Sequence, residues 1–487
     1  MASTIIRLIY DHLDSKLAVL FSCFALSWSC AMVAEMANGI HNHIIDGSLA
    51  RGILRLAVPM LVSSLLQNAQ SLIDLYWIGR LGADAVAALA IGGTVLMMLF
   101  PLVMGMAVGT VAIISRRIGE GDANGTSYAA GQSLSVAMVL GLGAGWVGWL
   151  FADRLPLLLG ATPEVAVLAA EYLEVLFLGS FTVFVLFIGG HSIFQAAGNT
   201  MIPMVLMLAA NGINLVLDPI LIYGLYGAPA MGVRGAAVAT VIAQTLAAVG
   251  ALVLLRRGAG GIRLHLRHML PRPAIAMNIL RIGLPGSGQM LARSLMALVL
   301  MRIAATAGTD AIAAFGAGTR LQQLILMPAF ALGNAAATLV GQNLGAGHPD
   351  RAARGAWIAT WMDVALMAVF GVLLAGFAPP LMGIFTDDAK VITIGSDFLR
   401  ITCGFYVFVA PSIVLGRALQ GAGDSLTPMI LTLVSLWGIQ VPLAILLSRV
   451  FVPPTDGLWW AIAMAVTIHG LLVSIVFQRG RWKHRVV

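Results

Sequence analysis

Two aspartates stand inside long apolar runs, each with amides spaced one helical turn before it. Asp74 ends the run Leu-Gln-Asn-Ala-Gln-Ser-Leu-Ile-Asp, in which Gln67, Gln70, Ser71 and Asp74 fall on one helical face. Asp218 ends Asn-Gly-Ile-Asn-Leu-Val-Leu-Asp, in which Asn211, Asn214 and Asp218 share a face. Pro219 follows directly, withdraws a backbone donor and loosens the helix at the carboxylate, a candidate hinge. The chemistry open to such groups is reversible binding of a cation. A carboxylic acid held away from water favours its neutral form, so it can load and release a proton. Nearby amide and hydroxyl oxygens keep sodium open as the alternative. The plainer alternative is that both acids only bridge helices.

What must position these acids is set by composition. The chain has 487 residues, 60% of them hydrophobic and 10% charged, with a mean hydropathy of +0.95; a soluble domain carries about 25% charged residues. Twelve apolar spans are read at 53–78, 86–113, 130–151, 166–190, 202–224, 233–255, 278–304, 311–338, 356–378, 391–416, 427–449 and 457–477. Each exceeds the roughly 20 residues that cross a bilayer as a helix. An ionised carboxylate at mid-membrane costs on the order of 3 kcal/mol, so an acid there needs a reason.

The chain also contains itself twice. Ile53 to Pro59 (Ile-Leu-Arg-Leu-Ala-Val-Pro) returns at Ile279 to Pro285 (Ile-Leu-Arg-Ile-Gly-Leu-Pro), an offset of 226 residues. Asp-Ala-Val-Ala-Ala from Asp84 returns as Asp-Ala-Ile-Ala-Ala from Asp310, and Gln195 to Pro203 matches Gln420 to Pro428 with the offset slipped by one. The expected fold is therefore an all-α integral membrane protein of twelve transmembrane helices, in two six-helix lobes related by a parallel repeat, with a cleft between them. At the repeat offset Asp74 becomes Leu300 and Asn68 becomes Ser294, while Asp218 aligns near Val441 to Ala444. A lobe that needed the acids only as bridges would need them in both copies, and the second copy does without them.

A net charge of +7 is of the sign that nucleic-acid binders carry, but the basic residues alternate by loop. Arg116, Arg117, Arg256, Arg257, Arg263, Arg267, Arg272, Arg351, Arg354, Arg479, Arg481, Lys483 and Arg485 fall on one side of the topology, which the positive-inside rule places in the cytoplasm. No nucleic-acid partner is expected. The organisation reads as an N-lobe at 46–255, a basic cytoplasmic linker at 256–277, a C-lobe at 278–478 and a basic cytoplasmic tail at 479–487. Residues 1–45 lie outside the repeat. Their apolar run from Leu17 to Ala34 is a thirteenth span, a signal-like segment, or sequence upstream of a start at Met36. Cys23, Cys30 and Cys403 form no disulfide or metal pattern.

Other polar groups in the spans are weaker signals. Arg293 and Arg320 could pair with a carboxylate or a substrate anion, or snorkel. Asp363 is expected to pair with a nearby Arg at the cytoplasmic edge, and His191 and His469 have no second ligand at metal spacing. Most of the 24 Met residues read as packing, a residue type also suited to promiscuous apolar pockets.

The paired starts, the loop Val-Gly-Gln-Asn-Leu-Gly-Ala-Gly at Val340 to Gly347, Gln-Gly-Ala-Gly-Asp at Gln420 to Asp424 and Leu-Asp-Pro-Ile-Leu-Ile-Tyr-Gly at Leu217 to Gly224 resemble the multidrug and toxic compound extrusion (MATE) family from residue 46 to about 478. Within it the chain is most similar to the DinF-like branch. That resemblance implies that Asp74, Asp218, Asn214 and Thr240 form the cation-coupling site and that helix 1 bends at Pro59. Gln67, Gln70, Asn211, Arg293 and Arg320 are candidates for the substrate or polar cleft. The NorM-like branch uses carboxylates in its second lobe; here Arg293 stands at the helix 7 position and Gln322 where many relatives have glutamate, so no second-lobe ion site is expected.

The function implied is exchange of protons, or of sodium, for small amphipathic organic cations by alternating access, in a bacterial inner membrane. A monomer is expected, with no cofactor and no catalytic or metal residues. The rivals are a lipid-linked oligosaccharide or lipid flippase of the same architecture, a channel, and a membrane enzyme, for which no nucleophile or acid-base pair is found at the interface.

Overall fold

The computed structural model describes Ile45 and residues 47–485; the apolar run at 17–34, the alternative start at Met36, and Cys23 and Cys30 lie outside the described residues. The described chain has no strand and is helical almost throughout. Ten helices are long and apolar enough to cross a membrane: α1 (Leu49–Ile78), α2 (Ala83–Gly119), α3 (Ala123–Phe151), α5 (Met201–Tyr223), α6 (Gly232–Arg257), α7 (Pro273–Ala305), α8 (Thr309–Gly345), α9 (Pro349–Gly376), α11 (Leu426–Val450) and α12 (Pro454–Gln478). Two bent pairs complete the twelve: α4 (Pro163–Leu178 with Ser180–Ala196) turns by 50°, and α10 (Ala389–Cys403 with Tyr406–Gly421) by 58°.

The bends correct the unbroken spans expected at 166–190 and 391–416, and they sit at repeat-related positions. At Gly179 a Cβ would lie 2.4 Å from the Val241 side chain, so the close approach of α6 requires glycine at this bend. One backbone carbonyl freed by a proline is also answered from a neighbouring element. Pro59 cannot donate to the Arg55 carbonyl one turn earlier, and the Thr200 hydroxyl, from the turn before α5, donates to it at 3.4 Å. α1 and α5 run on as helices through Pro59 and Pro219.

The lobes meet along α2, α7, α8 and α1, and backbones cross closely at one end. That end carries the start of α1, the basic ends of α2 and α6, and the linker. There α2 and α8 cross through glycines. A Cβ on Gly119 would sit 2.0 Å from the Gln342 carbonyl oxygen and 2.9 Å from Ala346 N; one on Gly345 would sit 2.1 Å from the Arg116 carbonyl oxygen and 2.9 Å from Glu120 N. These pairs exchange under the 226-residue offset (119 to 345, 116 to 342, 120 to 346), so the repeat axis runs through the crossing. Further along α2, the backbones at Gly105 and Gly109 touch α7 at Gly283 and Ile279. The equivalent α1 and α8 surfaces share a buried cluster that includes Ile53, Leu56, Ala57, Ala331 and Ala335.

The linker is bolted to the N-lobe. Gln132 of α3 donates to the His268 and Leu270 carbonyls at 2.8 and 2.7 Å and accepts from the Arg272 backbone N–H at 2.8 Å. Ser135 donates to the Met269 carbonyl at 2.9 Å, and the Arg272 guanidinium lies 3.4 Å from the Tyr128 ring centre. His268 is buried there; burial, with Arg267, His265 and Arg272 close by, holds its imidazole below the usual histidine range.

Candidate functional site

Asp74 and Asp218 come together inside the N-lobe. α1 delivers Asp74 four residues before its end, α5 delivers Asp218 with Asn214 one turn earlier, and α6 delivers Thr240. The Asp74 carboxyl comes close to Asp218 and Asn214. Asn214 donates to Asp218 at 3.1 Å and to Thr240 at 3.4 Å. Asp218 and Asn214 are fully buried, Asp74 and Thr240 nearly so, and the buried Tyr172 of α4 lies near enough for both carboxyls to act on it electrostatically.

No Arg, Lys or His hydrogen-bonds or pairs with either acid among the described residues. Three buried oxygens, Asp74 Oδ1, Asp218 Oδ2 and Asn214 Oδ1, accept no hydrogen bond among the described residues. Two carboxylates this close and this dry repel unless a cation joins them, so the arrangement can hold a proton or a small metal cation.

The polar stripe read on α1 divides. Gln70 and Asp74 turn into the lobe, whereas Gln67 lines a separate cavity of about 260 Å³ between the lobes. Asn211, a cleft candidate from sequence, is used instead as a bridge: it donates to the Leu66 carbonyl at 2.5 Å and ties α5 to α1. Ser64, Phe100, Phe187, His191, Phe330 and Arg417 are among the cavity's walls, and neither aspartate reaches it. The ion site and the cavity are distinct places in the same bundle.

In the C-lobe Arg293 faces a recess that opens beside the cavity, whereas Arg320 is exposed on α8 and lines neither. The expected pairing of Asp363 with an Arg is not made. It lies 14 residues into α9, fully buried, and both its oxygens are without a hydrogen bond among the described residues, because α9 is longer than the span read at 356–378 and carries it away from the basic end. Gln322 lies near the buried Tyr406, whose hydroxyl has no hydrogen-bond partner among the described residues. Arg417 escaped the sequence reading because the tenth span was ended at residue 416, one short of it. Tyr172 escaped because a tyrosine in an apolar helix has no distinguishing spacing.

The MatE family model matches the chain twice, at residues 59–220 and 285–446, and 285 minus 59 is the repeat offset of 226. The chain belongs to the MATE family. The probable multidrug resistance protein NorM of Thermotoga maritima is 27% identical over 445 residues, covering 90% of this chain and 94% of that one. A FAD transporter of Shewanella oneidensis is 27% identical with 90% and 96% covered. A solved MOP superfamily transporter from Pyrococcus furiosus, described as having a binding pocket of reversed polarity, superposes with a TM-score of 0.84 at 26% identity, covering 92% and 99%. This MATE protein is thus a multi-pass integral membrane transporter of the multidrug efflux class, and not an enzyme.

Proposed function

We propose that this MATE protein is a proton-driven secondary transporter that moves small amphipathic organic compounds out of the cell. The observation that carries the reading is the pair Asp74 and Asp218, brought close together from two helices, without a basic partner among the described residues, and buried apart from the inter-lobe cavity. A proton needs only such a carboxyl pair. Sodium needs several oxygens, and Asn214 turns its N–H groups, not its oxygen, toward Asp218 and Thr240. With the basic loops in the cytoplasm of a bacterial inner membrane, the glycine crossing of α2 and α8 closes the lobes together on the inner side. Both walls of the cavity come from one chain, which supports a functional monomer.

The names of its relatives range from multidrug resistance protein to FAD transporter, so membership of the family leaves the substrate class open. The deciding experiment uses proteoliposomes with an imposed pH gradient. Transport of a fluorescent substrate should follow the gradient and persist without sodium. Loss of transport in sodium-free medium at an unchanged pH gradient would reassign the coupling ion.

A further inference from the structure

The C-lobe wall of the central cavity carries positive charge. Arg417 of α10 lines the cavity, and a recess sharing Met290, Phe330, Arg417 and Gln420 with it leads to Arg293 of α7. No Asp or Glu lines the cavity or the recess among the described residues. Neither arginine makes an ion pair among them, and Arg293 is near enough to act electrostatically on Arg417.

Arginine cannot shed its proton to relieve this crowding, so two half-buried guanidinium groups call for an anion from elsewhere. The neighbouring amides cannot supply it and instead fix the geometry. Gln420 accepts from Arg417 at 3.2 Å and donates to Gln289 at 2.7 Å, which donates on to Thr432 at 2.9 Å. With one edge of Arg417 held by Gln420 and its guanidinium 5.8 Å from the Phe330 ring centre, its remaining N–H groups are free for a ligand. The facing N-lobe wall sets an aromatic surface beside the polar side chains of Ser64 and Gln67. Phe187 stacks on His191 at 5.2 Å, and Phe100 meets Phe187 edge-on.

We propose that the central cavity takes amphipathic organic anions, Arg417 and Arg293 holding a carboxylate, sulfonate or phosphate while the Phe100 and Phe187 wall takes an aromatic body. As a transport site it rests on the function proposed above, and it replaces the organic cation expected from family resemblance. The coupling then has an electrical signature. A proton entering as an anion leaves moves charge the same way twice, whereas proton-for-cation exchange moves none, and each net charge changes the attainable gradient roughly 50-fold per 100 mV.

The test begins with binding to the purified full chain in neutral detergent, read by fluorescence polarisation. The probes are carboxyfluorescein and a rhodamine ester with the same ring system and opposite charge. The anion should bind, the cation should not, and Arg417→Gln and Arg293→Gln should each raise the Kd about tenfold or more. Arg417→Lys, which keeps the charge and loses the fork, should fall between and covers the case of a misfolded glutamine variant. Competition by naphthalene sulfonate identifies a soluble anion as the occupant, and competition by short-chain phosphatidylglycerol alone identifies a lipid headgroup. Preferential binding of the cation, or anion binding indifferent to both folded glutamine variants, overturns the anion site. Gradient-driven transport of the rhodamine alone, unaltered in Arg417→Gln, overturns it while leaving the transporter standing. Arginine-dependent binding of carboxyfluorescein, with no gradient-driven movement of either dye, upholds the site and overturns the transporter.

Discussion

Asp218 sits one turn after Asn214 on α5 and accepts its amide N–H at 3.1 Å, while the other Asp218 oxygen has no donor. The bond fixes which way the carboxyl points and leaves half of it free for an ion. Asp74 comes to this same group from a different helix. Loading an ion there can therefore change how α1 and α5 fit, which is what coupling to a moving lobe requires.

Asp218→Asn should reduce coupled transport to the level of empty liposomes, with normal insertion and yield. Asp74→Asn should leave a measurable fraction, because the Asn214 and Thr240 side of the site survives. An internal pH dye reports the proton flux that accompanies substrate movement. Wild-type flux in a well-expressed Asp218→Asn protein would remove the residue from the mechanism.

Gly345→Leu and Gly119→Leu should each prevent the closure of α2 on α8, since even a Cβ would lie 2.1 or 2.0 Å from a carbonyl oxygen. Such helix crossings tolerate no outward shift without opening the seal. The expected result is at least a tenfold loss of transport, with the lobes farther apart at the basic end in spin-label distance measurements. Unchanged distances would mean that the crossing has slack.

Cysteines replacing Arg263 and Arg354 in a background free of Cys23, Cys30 and Cys403 should stay unlabelled by an impermeant maleimide in intact cells, and react once the cells are opened. Labelling of both from outside would invert the proposed orientation.

Docking of the linker should weaken as the pH falls. The His268 imidazole is held below its usual range when docked, so the undocked linker binds more protons, and docking is favoured above about pH 6.5 and lost as pH drops below it. Amide exchange across residues 263–272 should be slow at pH 7.5 and faster, after correction for intrinsic rates, at pH 5.5. His268→Phe should abolish the difference.

The architecture was open to reading because lipid makes backbone pairing and apolar length compulsory, so duplicated apolar runs translate directly into duplicated helices. Asp74 and Asp218 stood out for the same reason, being costly where they are. Side-chain direction was harder. Asn211 and Gln67 look alike by spacing, yet one bridges α1 and α5 while the other faces the cavity, and only the packing of α5 against α1 separates them. Arg417 was lost to the bend in α10, since a span counted as straight ends before the helix does.

The reciprocal contact of Gly119 with Gln342 and of Gly345 with Arg116 has the form of an isologous interface, in which a surface meets its own copy across a twofold axis. Two separate six-helix chains could assemble through it with no surface new to either. Joining them would turn a concentration-dependent association into an intramolecular one and free each half to diverge. On this view the acids of one half and the arginines of the other are the two outcomes of a division of labour between former equals, with the glycine crossing kept symmetric because neither side can change it alone.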